Sequence, residues 1–545
     1  MVATTDRYAT RVGVDTLAAG GNAVDAVVAV SFALAVVNPE AGSVGGGGFM
    51  LVRAAEGATA ALDYRGTAPR GATRDMFLDA RGEPTEASQV GHRAATVPGS
   101  VRGLWEAHRR FGTRPWAELV EPAVRLARGF EVGERFVRSF PAHIVAGLER
   151  FPASARIFLP GGRPPRVGDA FSQPDLAGTL ARIRDGGADG FYLGETADLV
   201  VADMERGRGL LRHRDLASYE AVWREALAVP YRGRTILSMP PSSSGGVTLA
   251  AACHILGTFP LGSLPWHGDE HVHLLAETWK RAFADRNHYL ADPGFAELPL
   301  DVLTSPEYGA WRARDIAMGR ATPTASVTPG VEAFRGGRAV GEPGRQGGAA
   351  GGSTTHVSVV DARGNAASVT TTLNTWYGSK VVAEGTGVLL NNEMDDFSAR
   401  PGAPNHFGLV QGDANAIAPG KRPLSAMTPS MVLDPAGRLR LVVGTPGGAT
   451  IITTTFQVVS NVVDFGMGLA EAVCAPRVHH QHLPDRLEAE PGGLDPVTRE
   501  ALTAMGHEVT EREEAWGDVQ AILVGEDGAL EGVADPRRGG TALGR

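Results

Sequence analysis

The chain has 545 residues, 43% hydrophobic, 21% charged and 6% aromatic, with 71 glycines as the one clear excess; length alone allows two to four domains around a large core, and so much glycine points to tight turns and close-packed backbone. A formal charge of −9, without any basic stripe carrying interleaved aromatics, argues against nucleic acid as a partner. Cys253 and Cys474 lie far apart and outside any CxxC spacing, which argues against a disulfide framework or thiolate metal site and predicts two buried thiols.

At the start, Met1-Val2-Ala3-Thr4-Thr5-Asp6 lacks a charged region leading into an apolar one, so no signal peptide is read there. The run 23–37 is apolar but too short to span a bilayer, and it predicts a buried helix capped by Asn22 and ended by Pro39. A glycine-rich turn, 42–48, then feeds a buried strand, Phe49-Met50-Leu51-Val52. A phosphate-cradling loop precedes a helix, whereas this one follows a helix, so dinucleotide binding is a poor reading.

Residues 98–299 read as mainly helical scaffold, with amphipathic stretches at 101–111 and 271–290. Residues 322–352 lose hydrophobic periodicity and predict a flexible, exposed linker that ends Gly347-Gly348-Ala349-Ala350-Gly351-Gly352-Ser353. Strands follow at 355–360 and 366–373 about a turn at 361–365, with a second hairpin at 431–443. A helix at 453–473 follows another glycine-rich turn, Gly444-Thr445-Pro446-Gly447-Gly448. This succession predicts a layered α/β architecture.

A glycine-rich linker running into adjacent threonines has a chemical use. The hydroxyl of Thr354 can attack the peptide bond before it where the backbone bends to allow this, and hydrolysis of the resulting ester makes Thr354 a new N-terminus. Its α-amine, with an ordinary pKa of roughly 7.7–8.0, then accepts the hydroxyl proton near neutral pH. With the turn centred on Arg363, Asp361 faces Asn365 and Thr354 faces Thr372, placing their Cβ atoms about 5 Å apart. A slip of one residue would turn these side chains to the other face. Threonines are also plain strand formers, so the local chemistry leaves both readings open.

The stretch Thr354-Thr355-His356-Val357-Ser358-Val359-Val360-Asp361, with Gly364-Asn365 and Thr370-Thr371-Thr372-Leu373-Asn374, resembles the signature of the γ-glutamyltranspeptidase family of N-terminal nucleophile hydrolases. Matches continue in order at Gly20-Gly21-Asn22-Ala23-Val24-Asp25-Ala26, Asp63-Tyr64-Arg65, Leu389-Leu390-Asn391-Asn392-Glu393-Met394-Asp395-Asp396-Phe397, Arg422-Pro423-Leu424-Ser425 and Thr445-Pro446-Gly447-Gly448. The resemblance implies an αββα sandwich, made as one precursor and cut between Ser353 and Thr354. The products, residues 1–353 and 354–545, would stay together as a heterodimer within one intertwined domain.

It also implies roles. Thr354 is the nucleophile and Thr372 its companion hydroxyl; Gly447 and Gly448 form the oxyanion hole. Arg65 grips the α-carboxylate, Asp396 binds the α-ammonium, Glu393 and Asn374 add polar contacts, and Ser425 contacts the carboxylate. Read locally, Arg65 is an ordinary salt-bridging arginine, Asp395-Asp396 a solvated turn, and Gly447-Gly448 the start of a helix. Two positions depart from the family. Ala426 stands where many members carry a second serine, and Phe407, in the apparent lid 400–421, stands where some have tyrosine, so one substrate hydrogen bond and a hydroxyl latch are missing.

His479-His480-Gln481-His482 with Asp485 invites a metal reading. The cluster falls in a family-like stretch without a metal role, so structural histidines are expected and no metal or organic cofactor is implied. The implied activity is cleavage of γ-glutamyl amides, with glutathione the usual donor and water, an amino acid or a peptide as acceptor. A glutaryl or cephalosporin-type acylase would be expected to lack the ammonium-binding Asp396. A catalytically silent binding homologue would remain uncut. The family usually works outside the cytoplasm, which sits uneasily with the missing leader and leaves localisation open.

Overall fold

The computed structural model describes residues 1–337 and 353–544. Alternation along the Gly47–Arg53 strand sets up its layers, because successive side chains point to opposite faces. Met50 and Val52 pack with Val357, Val359 and Val369 against the Ala23–Val37 helix. Phe49 and Leu51 instead meet Leu237, Met431, Val442 and Ile522 of a second sheet. The outer face of that sheet, through Ile236, Val432 and Leu441, is covered by Leu249, Trp279, Ile452 and Phe456 of three further helices. Helix, sheet, sheet and helix therefore stack in that order, the expected αββα sandwich.

In the first sheet the strand order is Thr541–Leu543, Val2–Thr4, Ser353–Val360, Ala366–Asn374, Gly47–Arg53, Thr59–Asp63 and Val222–Arg224. In the second it is Leu530–Ala534, Gln520–Val524, Leu439–Gly444, Ser430–Leu433, Arg234–Ser238 and Leu227–Tyr231. Segments from either side of Thr354 contribute to both sheets, so neither segment owns a core of its own.

The Ala23–Val37 helix starts as its sequence predicts. Asn22 accepts from Val24 N and Asp25 N while Asp25 reaches back to Asn22 N, a reciprocal capping box. Its valines are almost wholly enclosed, and each is worth about 1.5–3 kcal/mol relative to exposure.

Several expectations change. Besides the short Phe130–Glu131 and Ala170–Phe171 pair, residues 98–299 contribute three strands to the two main sheets, Val222–Arg224, Leu227–Tyr231 and Arg234–Ser238. Pro230 disguised the second of these, and it is tolerated because that strand forms a sheet edge. The helix read at 453–473 is two, Thr450–Val463 and Leu469–Cys474, separated around Gly466 with φ at +67°. Cys253 is buried, but Cys474 at the end of the second helix is exposed.

The reading of 322–352 as an exposed linker fails for its first part. There Val331 is buried, its amide donates to Tyr289 Oη at 3.2 Å, and Gly330 N donates to Asp285 Oδ1 at 2.8 Å. The glycine-rich end, 347–352, lies outside the described residues. Among the described residues no helix is long and apolar enough to cross a membrane.

Candidate active site

The Ser353–Val360 and Ala366–Asn374 strands pair in the register read from the turn, with Thr372 opposite Thr354 and Thr370 opposite His356. Thr372 also pairs with Gly47, so it shares the strand face of Phe49 and points between the sheets. Thr354 Oγ1 and Thr372 Oγ1 lie 3.1 Å apart, and Asn374 N donates to Thr372 Oγ1 at 2.8 Å. The hydroxyl pair is thus held from both strands. Close approach of the glycine-rich turn enforces the position, since a Cβ on Gly46 would fall 2.0 Å from Thr372 O. The ladder breaks between Thr372 and Asn374, which takes a φ of +83°. Asparagine tolerates that left-handed backbone better than most residues.

One pocket brings together Thr354, Thr372, Asn374, Arg65, Asp396, Ser425 and Gly448, with Phe407 and Ala426 also in its wall. Arg65 is fully buried, 2.8 Å from Glu393 Oε1 and also ion-paired to Asp396. Burial pushes the Asp396 carboxyl up to about 7, against the pull of Arg65 and with the help of Asp395 and Glu393. Burial likewise raises Glu393. Buried charges of this kind are costly to hold, and carboxylates perturbed in this way in a cleft make a candidate functional site.

Glu393, expected as a substrate contact, is fully buried and paired with Arg65. Its Oε2 accepts from Gly66 N at 3.0 Å and Thr96 Oγ1 at 3.2 Å. Asp395 holds the lid, accepting from Ser88 Oγ at 2.7 Å and His406 N at 2.9 Å. Asn405 Nδ2 reaches Asp396 at 3.3 Å, and Phe407 O accepts from Gln481 Nε2 at 3.2 Å, so the lid is tied down without a tyrosine hydroxyl.

Gly447 and Gly448, at φ +142° and +62°, lead into the Thr450–Val463 helix. A Cβ on Gly448 would sit 2.5 Å from Phe407 Cδ1, which requires glycine twice over. Amides at a helix start point outward unpaired, so the helix-leading and oxyanion readings are compatible.

Arg286 is a pocket residue that the sequence reading missed. It follows Phe283 by three residues and Trp279 by seven, on the apolar stripe of the Asp269–Tyr289 helix. Glu277, Arg281 and Asp285 form a different stripe, paired within the helix by Arg281, 2.7 Å from Glu277, and from the Pro306–Ala313 helix by Arg312, 2.8 Å from Asp285. A charge on the wrong side of an amphipathic helix was the available signal. Burial lowers Arg286 to about 10, partly offset by Asp396.

His356 is buried among Thr370, Ser358 and Ser368 and held neutral by desolvation, with a pKa of about 3. His479 bonds Thr453 Oγ1 and Gln481 Oε1, both at 2.9 Å; His482 bonds Val327 O at 3.0 Å. His480 Nε2 lies 3.3 Å from Asp485 Oδ1. Among the described residues His273, Glu277 and His507 also come within metal-binding reach of one another. Their atoms are already used, since His273 bonds His507 at 2.8 Å and Glu277 pairs with Lys280 and Arg281.

The Gamma-glutamyltranspeptidase family profile matches residues 9–545. The chain belongs to the γ-glutamyltranspeptidase family. It is 45% identical over 539 residues to the glutathione hydrolase proenzyme of Escherichia coli strain K12, covering 98% of this chain and 90% of that protein. A cephalosporin acylase from Bacillus halodurans superposes with a TM-score of 0.85 at 28% identity, over 100% of this chain and 95% of that one. A chain of Helicobacter pylori γ-glutamyltranspeptidase superposes with a TM-score of 0.59 at 37% identity, covering 60% of this chain and 94% of its own length. Both γ-glutamyltranspeptidases and acylases thus share this scaffold, and the pocket has to discriminate between them.

Proposed function

We propose that the chain is a self-processing γ-glutamyltransferase and glutathione hydrolase, cut before Thr354 into interleaved fragments of residues 1–353 and 354–545. One observation carries the reading: Arg65 and Asp396 share a desolvated pocket with the Thr354–Thr372 hydroxyl pair. A zwitterionic amino-acid head complements that guanidinium and carboxylate, and its γ-carbonyl then faces Thr354.

In the cut enzyme the free α-amine of Thr354 takes the proton from its own hydroxyl. Oγ1 attacks the γ-carbonyl, and the oxyanion is met by the amides of Gly447 and Gly448, donors typically worth about 2.7–4 kcal/mol each. The amine returns the proton to the departing nitrogen, leaving a γ-glutamyl ester on Thr354. Water attacks the ester to release glutamate, or the amine of an amino acid or peptide attacks to give a new γ-glutamyl amide. In either case the Thr354 hydroxyl is regenerated. The acylase reading is weaker because a glutaryl group brings no ammonium to Asp396.

N-terminal sequencing of the smaller fragment, with product analysis on glutathione with and without a dipeptide acceptor, tests this. Expected are a start at Thr354, glutamate from glutathione alone, and γ-glutamyl dipeptide when acceptor is present. A persistent full-length band without turnover would support the silent homologue. Turnover of glutaryl amides in preference to γ-glutamyl amides would support the acylase.

A further inference from the structure

The pocket contains a second guanidinium. Arg286 is 1% exposed, with Nε donating to Ser244 Oγ at 2.9 Å and Nη1 to Asn287 Oδ1 at 2.8 Å, while Nη2 has no hydrogen-bond partner. Among the described residues it makes no ion pair. Leaving a buried charged donor unpaired is expensive, so such a group persists where something else completes it.

The charges around the head divide unevenly. Arg65 is paired with both Glu393 and Asp396. Glu393 is enclosed with its other oxygen occupied by Gly66 N and Thr96 Oγ1, so among the described residues Arg65 is the cation it pairs with. Asp396 is left for an ammonium, and Arg286 is the cation left for an anion. Ser244 Oγ, which holds Arg286, donates to Ser425 O at 2.6 Å, joining this guanidinium to the wall formed by Ser425 and Ala426. That wall lacks a side-chain donor at Ala426, and Arg286 lines the same pocket.

We propose that Arg286 is a substrate-binding, specificity-determining residue whose Nη2 shares the donor's α-carboxylate with Arg65 and supplies a positive charge there that is not engaged in an ion pair among the described residues. The ligand class is an acyl donor with a free α-carboxylate. This rests on the γ-glutamyl reading above.

The test compares self-cleaved wild type, R286Q and R286K on a γ-glutamyl anilide and on the same anilide with its α-carboxylate converted to the carboxamide. In R286Q, KM for the carboxylate donor should rise about tenfold or more, as expected for losing a charge-assisted hydrogen bond. KM for the carboxamide should stay within about twofold, so the preference between donors collapses. R286K keeps the charge but loses the planar fork; it should raise KM for the carboxylate donor only about threefold, again sparing the carboxamide.

An unchanged donor preference in R286Q, or an equal rise in KM for both donors, overturns the inference and makes Arg286 a packing residue. If R286Q fails to fold or cleave, R286K decides by the same selectivity. Wild type inactive on the γ-glutamyl anilide would instead overturn the function on which the inference stands.

Discussion

Thr354 Oγ1 sits 3.1 Å from Thr372 Oγ1 across a directly paired rung of one hairpin. Substituting Thr354 by Ala should leave an uncut precursor and remove activity, while Thr372→Val should slow both cleavage and turnover by about 10²-fold, the range for losing a positioned proton-transfer partner. A denaturing gel time course with matched kinetics reads both. Normal cleavage in T354A would mean that a different residue breaks the chain.

Asp396 gives the pocket a pH dependence of known sign. Burial holds its carboxyl near 7, so below that pH it is neutral and offers an incoming ammonium no charge. The Thr354 α-amine must also lose a proton, at roughly 7.7–8.0 if unperturbed. The KM for a γ-glutamyl donor should therefore fall between about pH 6 and about pH 8, and kcat should rise. Asp396→Asn should raise KM about tenfold or more and flatten its pH profile, leaving the rise in kcat. A wild-type KM constant across that window would show a carboxylate already charged throughout.

Gly448 meets the Phe407 ring of the lid. A Gly448→Ala change should lower kcat about 10²–10³-fold, as for a lost oxyanion donor, because both its φ of +62° and the ring 2.5 Å from the new Cβ displace the amide. Adding Phe407→Ala removes the clash but not the backbone strain. Full recovery of kcat in the double variant would assign the loss to the lid rather than to the amide.

Far from the pocket, Asp25 gathers the amides of Asn22, Thr113 and Arg114 at 2.9, 2.9 and 3.2 Å. Asp25→Ala strands these donors and should destabilise the protein by about 3 kcal/mol. A lower urea midpoint for unfolding, with kcat/KM unchanged in the folded fraction, is the expected result. No shift in the midpoint would mean water replaces the carboxylate without loss.

The sequence determined whatever is local or periodic. Asn22 capping a run of alanine and valine, the alternation through Phe49 and Val52, and the turn that sets Thr354 opposite Thr372 all depend on neighbours within a few positions, so they can be read along the chain. The family motifs added Arg65, Asp396, Ser425 and the two glycines, although not their geometry. Only the tertiary structure paired Glu393 with Arg65, anchored 322–337 on Asp285 and Tyr289, and turned Arg286 into the pocket. Those outcomes depend on which distant charges share a water-free space. Burial makes pairing there obligatory, and no spacing within a segment records which partner the fold will bring.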